Sequence, residues 1–205
     1  MSATVRQHDH PDQRKARGAF FTPPALCHHM AAWAIRTPHD RVLEPSCGEA
    51  AFLNAAADRL TALGDPAGAR LDGVEVHAPS AREARRHLAE RGISGRVRVA
   101  DMFALTPRAA YDVVIGNPPY VRQELIADAL MREYRPRYRT IYDRADIYVP
   151  FIERSLSVLS DGGSLGFICA DRWMKNRYGG PLRSFVAERF HLKIFVDMVD
   201  TPAFH

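Results

Sequence analysis

The sequence predicts an α/β fold built on a Rossmann-like, doubly wound and mostly parallel sheet. Three observations carry this. Short apolar runs alternate with stretches of helical spacing, turns bearing glycine or proline separate the two, and candidate polar residues stand just after the runs. At 205 residues, 46% hydrophobic and 25% charged, the chain suits one large domain of ordinary globular composition.

The elements follow in order. Residues 1–17 are polar and aperiodic, carry His8, Asp9 and His10, and are expected to form a mobile arm before a domain over residues 18–205. A His-Asp-His triplet in such an arm is usually bland, so no metal is expected. Leu26, Met30, Trp33 and Ala34 have helical spacing over residues 24–35, opened by Thr22-Pro23-Pro24. Residues 41–45 read as a buried strand, followed by a turn at Gly48 and an alanine-rich helix over 50–63. A second strand (71–76) and helix (80–91) come next, then a third strand (97–100). The apolar run at 111–116 suits a fourth strand covered on both faces. A helix over 147–159, an Asp161-Gly162-Gly163 turn and a fifth strand over 164–169 follow. A helix over 181–189 and a sixth strand over 192–198 complete the pattern, and no internal repeat interrupts it.

Composition narrows the function classes. No apolar run approaches the ~20 residues that span a bilayer. The N-terminus has no apolar core of a secretory signal. Cys27, Cys47 and Cys169 are too scattered for a disulfide framework, which predicts a cytoplasmic protein. The net charge of +4 permits a polyanionic partner. Positive charge gathers at Arg122, Arg132, Arg135, Arg137, Arg139 and Arg144, with Tyr134, Tyr138 and Tyr142 threaded through the same stretch. Arginines holding phosphates while tyrosines stack on unpaired bases is one reading of it, and a solvated helix face with a loop is the other.

In doubly wound sheets, ligands bind beyond the carboxyl ends of the strands, near the point where strand order reverses. After the first strand, Gly48 lets the backbone pass close to a ligand at a helix N-terminus, with Glu44 placed to meet an amine. The loop lacks the glycine pattern of a dinucleotide site and reads equally as a structural turn. Glu75, closing the second strand, is a candidate acceptor for ribose hydroxyls, or an exposed strand-end glutamate. Asp101 offers an acceptor for an adenine amine, and Met102 and Phe103 offer apolar faces for its ring unless they are ordinary core. After the fourth strand stands Asn117-Pro118-Pro119-Tyr120. Two prolines stiffen this loop and remove two donors. The Asn117 side-chain oxygen and the Pro118 carbonyl can then accept both hydrogens of an exocyclic amine, making its nitrogen nucleophilic, while Tyr120 stacks on the ring.

These motifs resemble the gamma class of N6-adenine DNA methyltransferases, the TaqI-like group. The resemblance rests on Gly18-Ala19-Phe20-Phe21-Thr22-Pro23-Pro24, Glu44-Pro45-Ser46-Cys47-Gly48, Glu75, Asp101 and Asn117-Pro118-Pro119-Tyr120, in that order, and runs from Gly18 to the C-terminus. It implies a class I methyltransferase fold using S-adenosylmethionine. Thr22 and the loop of Glu44, Pro45, Cys47 and Gly48 would hold the methionine part of the cofactor, Glu75 its ribose, and Asp101 with Met102 its adenine. Asn117, Pro118, Pro119 and Tyr120 would hold a flipped adenine, and Arg122, Arg135, Arg137, Tyr138 and Arg139 would contact DNA. The implied setting is a restriction-modification or phage-defence system, with target recognition by a C-terminal or separate domain. Where the family carries a second glycine in the first loop, this chain has Glu49-Ala50-Ala51, and the family's seventh strand is expected to be absent. Two other readings stand beside it: the same mechanism acting on RNA adenine or a protein glutamine amide, and a methyltransferase-like scaffold that performs no catalysis.

Overall fold

Parallel strands need crossover connections, and the chain supplies them with helices on both faces of one sheet. A computed structural model describes residues 22–65, 70–105 and 110–198. The expected arm over residues 1–17 and the Gly18–Phe21 part of the first motif lie outside the described residues. The elements run α1 (Pro24–Ala34), β1 (Val42–Glu44), α2 (Ala51–Leu63), β2 (Leu71–Glu75), α3 (Ala78–Glu90), β3 (Arg96–Val99), β4 (Tyr111–Gly116), α4 (Asp128–Tyr134), α5 (Tyr148–Leu156), β5 (Leu159–Phe167), α6 (Arg172–Lys175) and α7 (Gly180–Arg189). Among the described residues, five strands pair in the order β3-β2-β1-β4-β5, every pair parallel.

Alternation along each strand divides the core. Val42, Val113 and Ile115 point to one face, where they pack with Cys27 and Ala31 of α1, Phe52 and Leu60 of α2, and Leu88 of α3. Leu43, Val74 and Val114 point to the other face and meet Met131 and Tyr134 of α4 and Phe151 of α5. Each fully buried leucine or phenylalanine contributes roughly 1.5–3 kcal/mol, so both faces are needed to hold so short a strand as β1. The alanine-rich side of α2 lies close against the sheet. A Cβ at Gly73 would come within 2.9 Å of Leu53 Cδ1 and 3.0 Å of Cys47 Sγ, so glycine in β2 is what lets α2 sit at that depth.

Two expectations need correction. The fifth strand begins at Leu159 rather than 164, because Tyr111 pairs with Leu159 and Val113 with Ser164. The Asp161-Gly162-Gly163 stretch is thus an irregularity inside β5, with Gly162 at φ 76°, and the preceding helix ends at Leu156. The sixth strand, expected over 192–198, does not form. Leu192, Ile194, Phe195 and Val196 are each more than half exposed, in a segment paired with no neighbour among the described residues. Apolar spacing marks strand-forming residues, but a strand exists only where an edge accepts its hydrogen bonds.

Candidate active site

β1 and β4 lie side by side at the centre of the sheet, with α2 leaving toward one face and the chain after β4 toward the other. Strand order reverses there, the point at which doubly wound sheets place their ligand crevice, between the loops after these strands. The first loop is held by carboxylates. Glu44 ends β1 only 3% exposed, and its Oε2 accepts the Leu53 N–H at 3.0 Å. Burial pushes its carboxyl well above the ordinary range, the N–H groups of Leu53 and Phe52 partly oppose this, and the charge of Glu75 adds to it. This corrects the role given to Glu44, whose carboxylate satisfies the first turn of α2 and is withdrawn from any ligand amine.

The rest of that loop turns tightly. Pro45 is buried, and the buried Cys47 donates its N–H to the Val74 carbonyl at 2.9 Å. Burial raises the Cys47 thiol, with Glu44 and Glu75 adding to the shift, so it stays protonated and inert. Gly48 has φ 49°, open space where a Cβ would stand, and an N–H donated to Glu75 Oε2 at 2.9 Å. Ala50, in the stretch without a second glycine, adopts φ 73° and is fully buried, so an alanine carries the left-handed step. Glu75 reaches back from the end of β2, its other oxygen accepting the His77 N–H at 2.7 Å. Two backbone bonds thus orient a half-buried carboxylate at the crevice.

The loop after β4 is pinned on both sides. Asn117 accepts the Ser46 hydroxyl on its carbonyl at 3.0 Å and donates Nδ2 to Thr22 Oγ1 at 3.3 Å. Its Oδ1 is buried and has no hydrogen-bond partner. An unmatched buried acceptor is costly, on the order of 1–3 kcal/mol, and points to a donor that arrives with a ligand. Thr22, buried at the start of α1, therefore touches the Asn117 amide and fixes which way it faces. Pro118 is buried and Pro119 half-buried. Tyr120 donates its hydroxyl to the Ile168 carbonyl at 3.1 Å, its ring 5.8 Å from that of Tyr148. The Ile168 N–H in turn reaches the Gly116 carbonyl at 3.1 Å, so β5 steadies the loop from its far side.

The loop after β3 is held differently. Asp101 Oδ1 accepts the Phe103 N–H at 2.9 Å, and Oδ2 accepts the Tyr134 hydroxyl. Tyr138 donates its hydroxyl to the Phe103 carbonyl at 2.9 Å. Arg154, 1% exposed, donates Nε to the Met102 carbonyl at 3.0 Å and Nη2 to the Leu105 carbonyl at 2.7 Å. Burial lowers the Arg154 pKa, and Tyr138 opposes the shift. Met102 is buried with Leu43, Val74 and Phe151, which corrects its assignment to a ligand ring: its side chain is core.

The arginine-rich stretch divides as well. Arg122 and Arg135 are exposed, whereas Arg137 pairs with Glu133 at 3.0 Å and Arg139 with Glu188 at 3.3 Å. Arg139 also lies over the Phe185 ring, 4.5 Å from its centre. Such exposed pairs are weak and would yield readily to a phosphate. Tyr138 is corrected: its ring is buried, 5.1 Å from that of Phe103, so it has no open face to stack on a base. Of the threaded tyrosines only Tyr142 is exposed. Sequence reasoning missed Arg154 and Ser46, and it placed Tyr134 among the base-stacking tyrosines, whereas the ring is buried and its hydroxyl bonds Asp101. Ser46 stands inside a quoted motif, while nothing near Tyr134 or Arg154 in the chain announces a partner.

Among the described residues, no group of three His, Cys, Asp or Glu side chains could hold a metal, and no helix is long and apolar enough to cross a membrane. Comparison with known proteins gives concordant results. The chain is 49% identical to the Type II methyltransferase M.PaeR7I of Pseudomonas aeruginosa, over 93% of this chain and 38% of that protein. It is 45% identical to the Type II methyltransferase M.XhoI of Xanthomonas vasicola, over 80% of this chain and 34% of that protein. It therefore spans between a third and two-fifths of the length of these relatives. Its fold matches the methyltransferase subunit of a type I restriction-modification system from Streptococcus thermophilus with a TM-score of 0.68, at 17% identity, over 84% of this chain and 39% of that one. The Eco57I restriction-modification methylase family matches residues 86–204, more than half of the sequence, and the chain belongs to that family.

Proposed function

We propose that this chain carries the catalytic part, residues 18–205, of an S-adenosylmethionine-dependent methyltransferase acting on the exocyclic amine of adenine in DNA. The observation that carries the reading is the buried, unpartnered Oδ1 of Asn117 at the head of a proline-stiffened loop. The residues around it fit the cofactor. Gly48 leaves open space at the N-terminus of α2, Glu75 is oriented toward that turn, and Asp101 stands half-buried after β3. Thr22 and the Gly48 loop would hold the methionine part, Glu75 the ribose hydroxyls and Asp101 the adenine amine.

The bound cofactor supplies an electrophilic methyl group on a sulfonium sulfur. The chain's own residues prepare the nucleophile. Asn117 Oδ1 and the Pro118 carbonyl accept the two hydrogens of the target amine, which turns its lone pair out of conjugation with the ring. Thr22 keeps the Asn117 amide in the orientation this needs, and Tyr120 lies against the base. Neither acceptor is basic, so the proton displaced from nitrogen passes to water. An adenine in duplex DNA must first leave the stack at a cost of a few kcal/mol, which phosphate contacts from Arg122, Arg135, Arg137 and Arg139 would offset. Two relatives named as Type II methyltransferases favour DNA as acceptor. A further domain or separate subunit would read the recognition sequence.

Incubation with methyl-labelled S-adenosylmethionine and, separately, duplex DNA, tRNA and release factor tests the reading. N6-methyladenine recovered from DNA is expected. Label in tRNA adenine or in glutamine would keep the mechanism and replace the substrate, and no label anywhere together with no binding of the cofactor would make the chain a scaffold.

A further inference from the structure

Asp101 is held by a side chain from a distant segment, whereas Glu44 and Glu75 are held by backbone N–H groups. Its Oδ2 accepts the hydroxyl of Tyr134, the last residue of α4, while its Oδ1 is fixed by the Phe103 N–H at 2.9 Å. The Tyr134 ring lies 4.8 Å from that of Phe103 and is buried, so packing sets the direction of the hydroxyl. Burial, and then the bond to Asp101, raise the Tyr134 pKa, which keeps the group a donor throughout the neutral range. Tyr138 and Arg154 hold the same loop, but only through backbone carbonyls.

A carboxylate offered to a purine is selective only if its orientation is fixed. Held in place, it accepts from a 6-amino group and repels a 6-oxo group. If it is free to rotate, it yields to either. We propose that Tyr134 is the positioning residue that aims the Asp101 carboxylate, and that its hydroxyl sets the preference of the cofactor site for an amino- over an oxo-purine. This rests on the adenine role given to Asp101 above.

The test compares S-adenosylhomocysteine with S-inosylhomocysteine by calorimetric titration of the wild-type protein, Tyr134→Phe and Tyr138→Phe. The wild type is expected to prefer the amino ligand by about a hundredfold, the upper end of what a hydrogen bond to a charged group contributes. Tyr134→Phe keeps the ring and the packing, so its Tm should stay within about 3 °C of wild type. Its preference should fall about tenfold, the worth of one charge-assisted hydrogen bond. Tyr138→Phe loses only a bond to a carbonyl and should weaken both ligands alike, leaving the preference intact. An unchanged preference in Tyr134→Phe beside a selective wild type overturns the inference and leaves Asp101 as the adenine acceptor. A wild type that binds both ligands equally removes that role of Asp101 and the inference with it.

Discussion

The two sides of the crevice are built on opposite plans. The loops after β1, β2 and β4 hold one another directly: Glu75 grips the Gly48 and His77 amides, Glu44 the first turn of α2, and Ser46 and Thr22 the two ends of Asn117. The loop after β3 makes a single turn of its own, Phe103 N–H to the Asp101 carboxylate and Ala104 N–H to the Asp101 carbonyl, and otherwise depends on Tyr134, Tyr138 and Arg154. The first side is therefore held by bonds between its own loops, and the second by side chains that reach it from α4, α5 and the segment between them. Damage to the first should appear as lost chemistry or lost contact with a ligand. On the second it should appear first as lost stability.

The largest effect belongs to the first side. Asn117→Ala removes the unpartnered acceptor and should lower methyl transfer by on the order of 10³-fold, while calorimetry finds S-adenosylhomocysteine bound as in wild type. Undiminished transfer in that variant would discard the acceptor role. Next comes Arg154→Ala on the second side. It strands the Met102 and Leu105 carbonyls and opens a cavity, so chemical denaturation should show a loss of about 3 kcal/mol. A loss below about 1 kcal/mol would mean that the β3 loop stands without its clamp, and the contrast between the two sides would fail. Glu75→Ala should weaken S-adenosylhomocysteine binding by roughly 1.5–3 kcal/mol, the range of hydrogen bonds to a charged group. Equal affinity would withdraw the ribose assignment.

The smallest effect is a change in pH dependence. Glu44 has its folded-state pKa raised by burial from the ordinary 4.5. Below that value the carboxyl is protonated whether the chain is folded or not, and its contribution is fully present. As pH rises, the unfolded chain releases the proton first, so stability declines until the folded pKa is passed. Other carboxyls titrate over the same range, so the difference between two proteins is the useful quantity. Relative to pH 4.5, Glu44→Gln should lose less stability on going to pH 7 than wild type does. Parallel stability profiles for the two would show that the buried carboxyl is already compensated.

The same division explains what the sequence revealed. The strand core was legible because apolar runs such as 111–116 can only be buried. Asn117-Pro118-Pro119-Tyr120 was legible because its function lies in consecutive residues. Tyr134 and Asp101 are 33 residues apart, and Tyr138 and Phe103 35, with no local mark to tell a packed tyrosine from one that stacks on a base. Glu44 misled for a related reason: a strand-end glutamate reads the same whether it faces a ligand or the helix beside it. The segment over 192–198 misled because strand propensity is local and pairing is not.

Gly73 has a consequence for how this sequence can vary. A methyl group there would collide with Leu53, which shares α2 with the first turn that Glu44 caps, and with Cys47, next to Gly48. A mutational library spread over the buried positions of the sheet should return glycine there, with alanine only where the ends of the Leu53 and Cys47 side chains shift, while neighbouring Val74 drifts among aliphatic residues of similar volume.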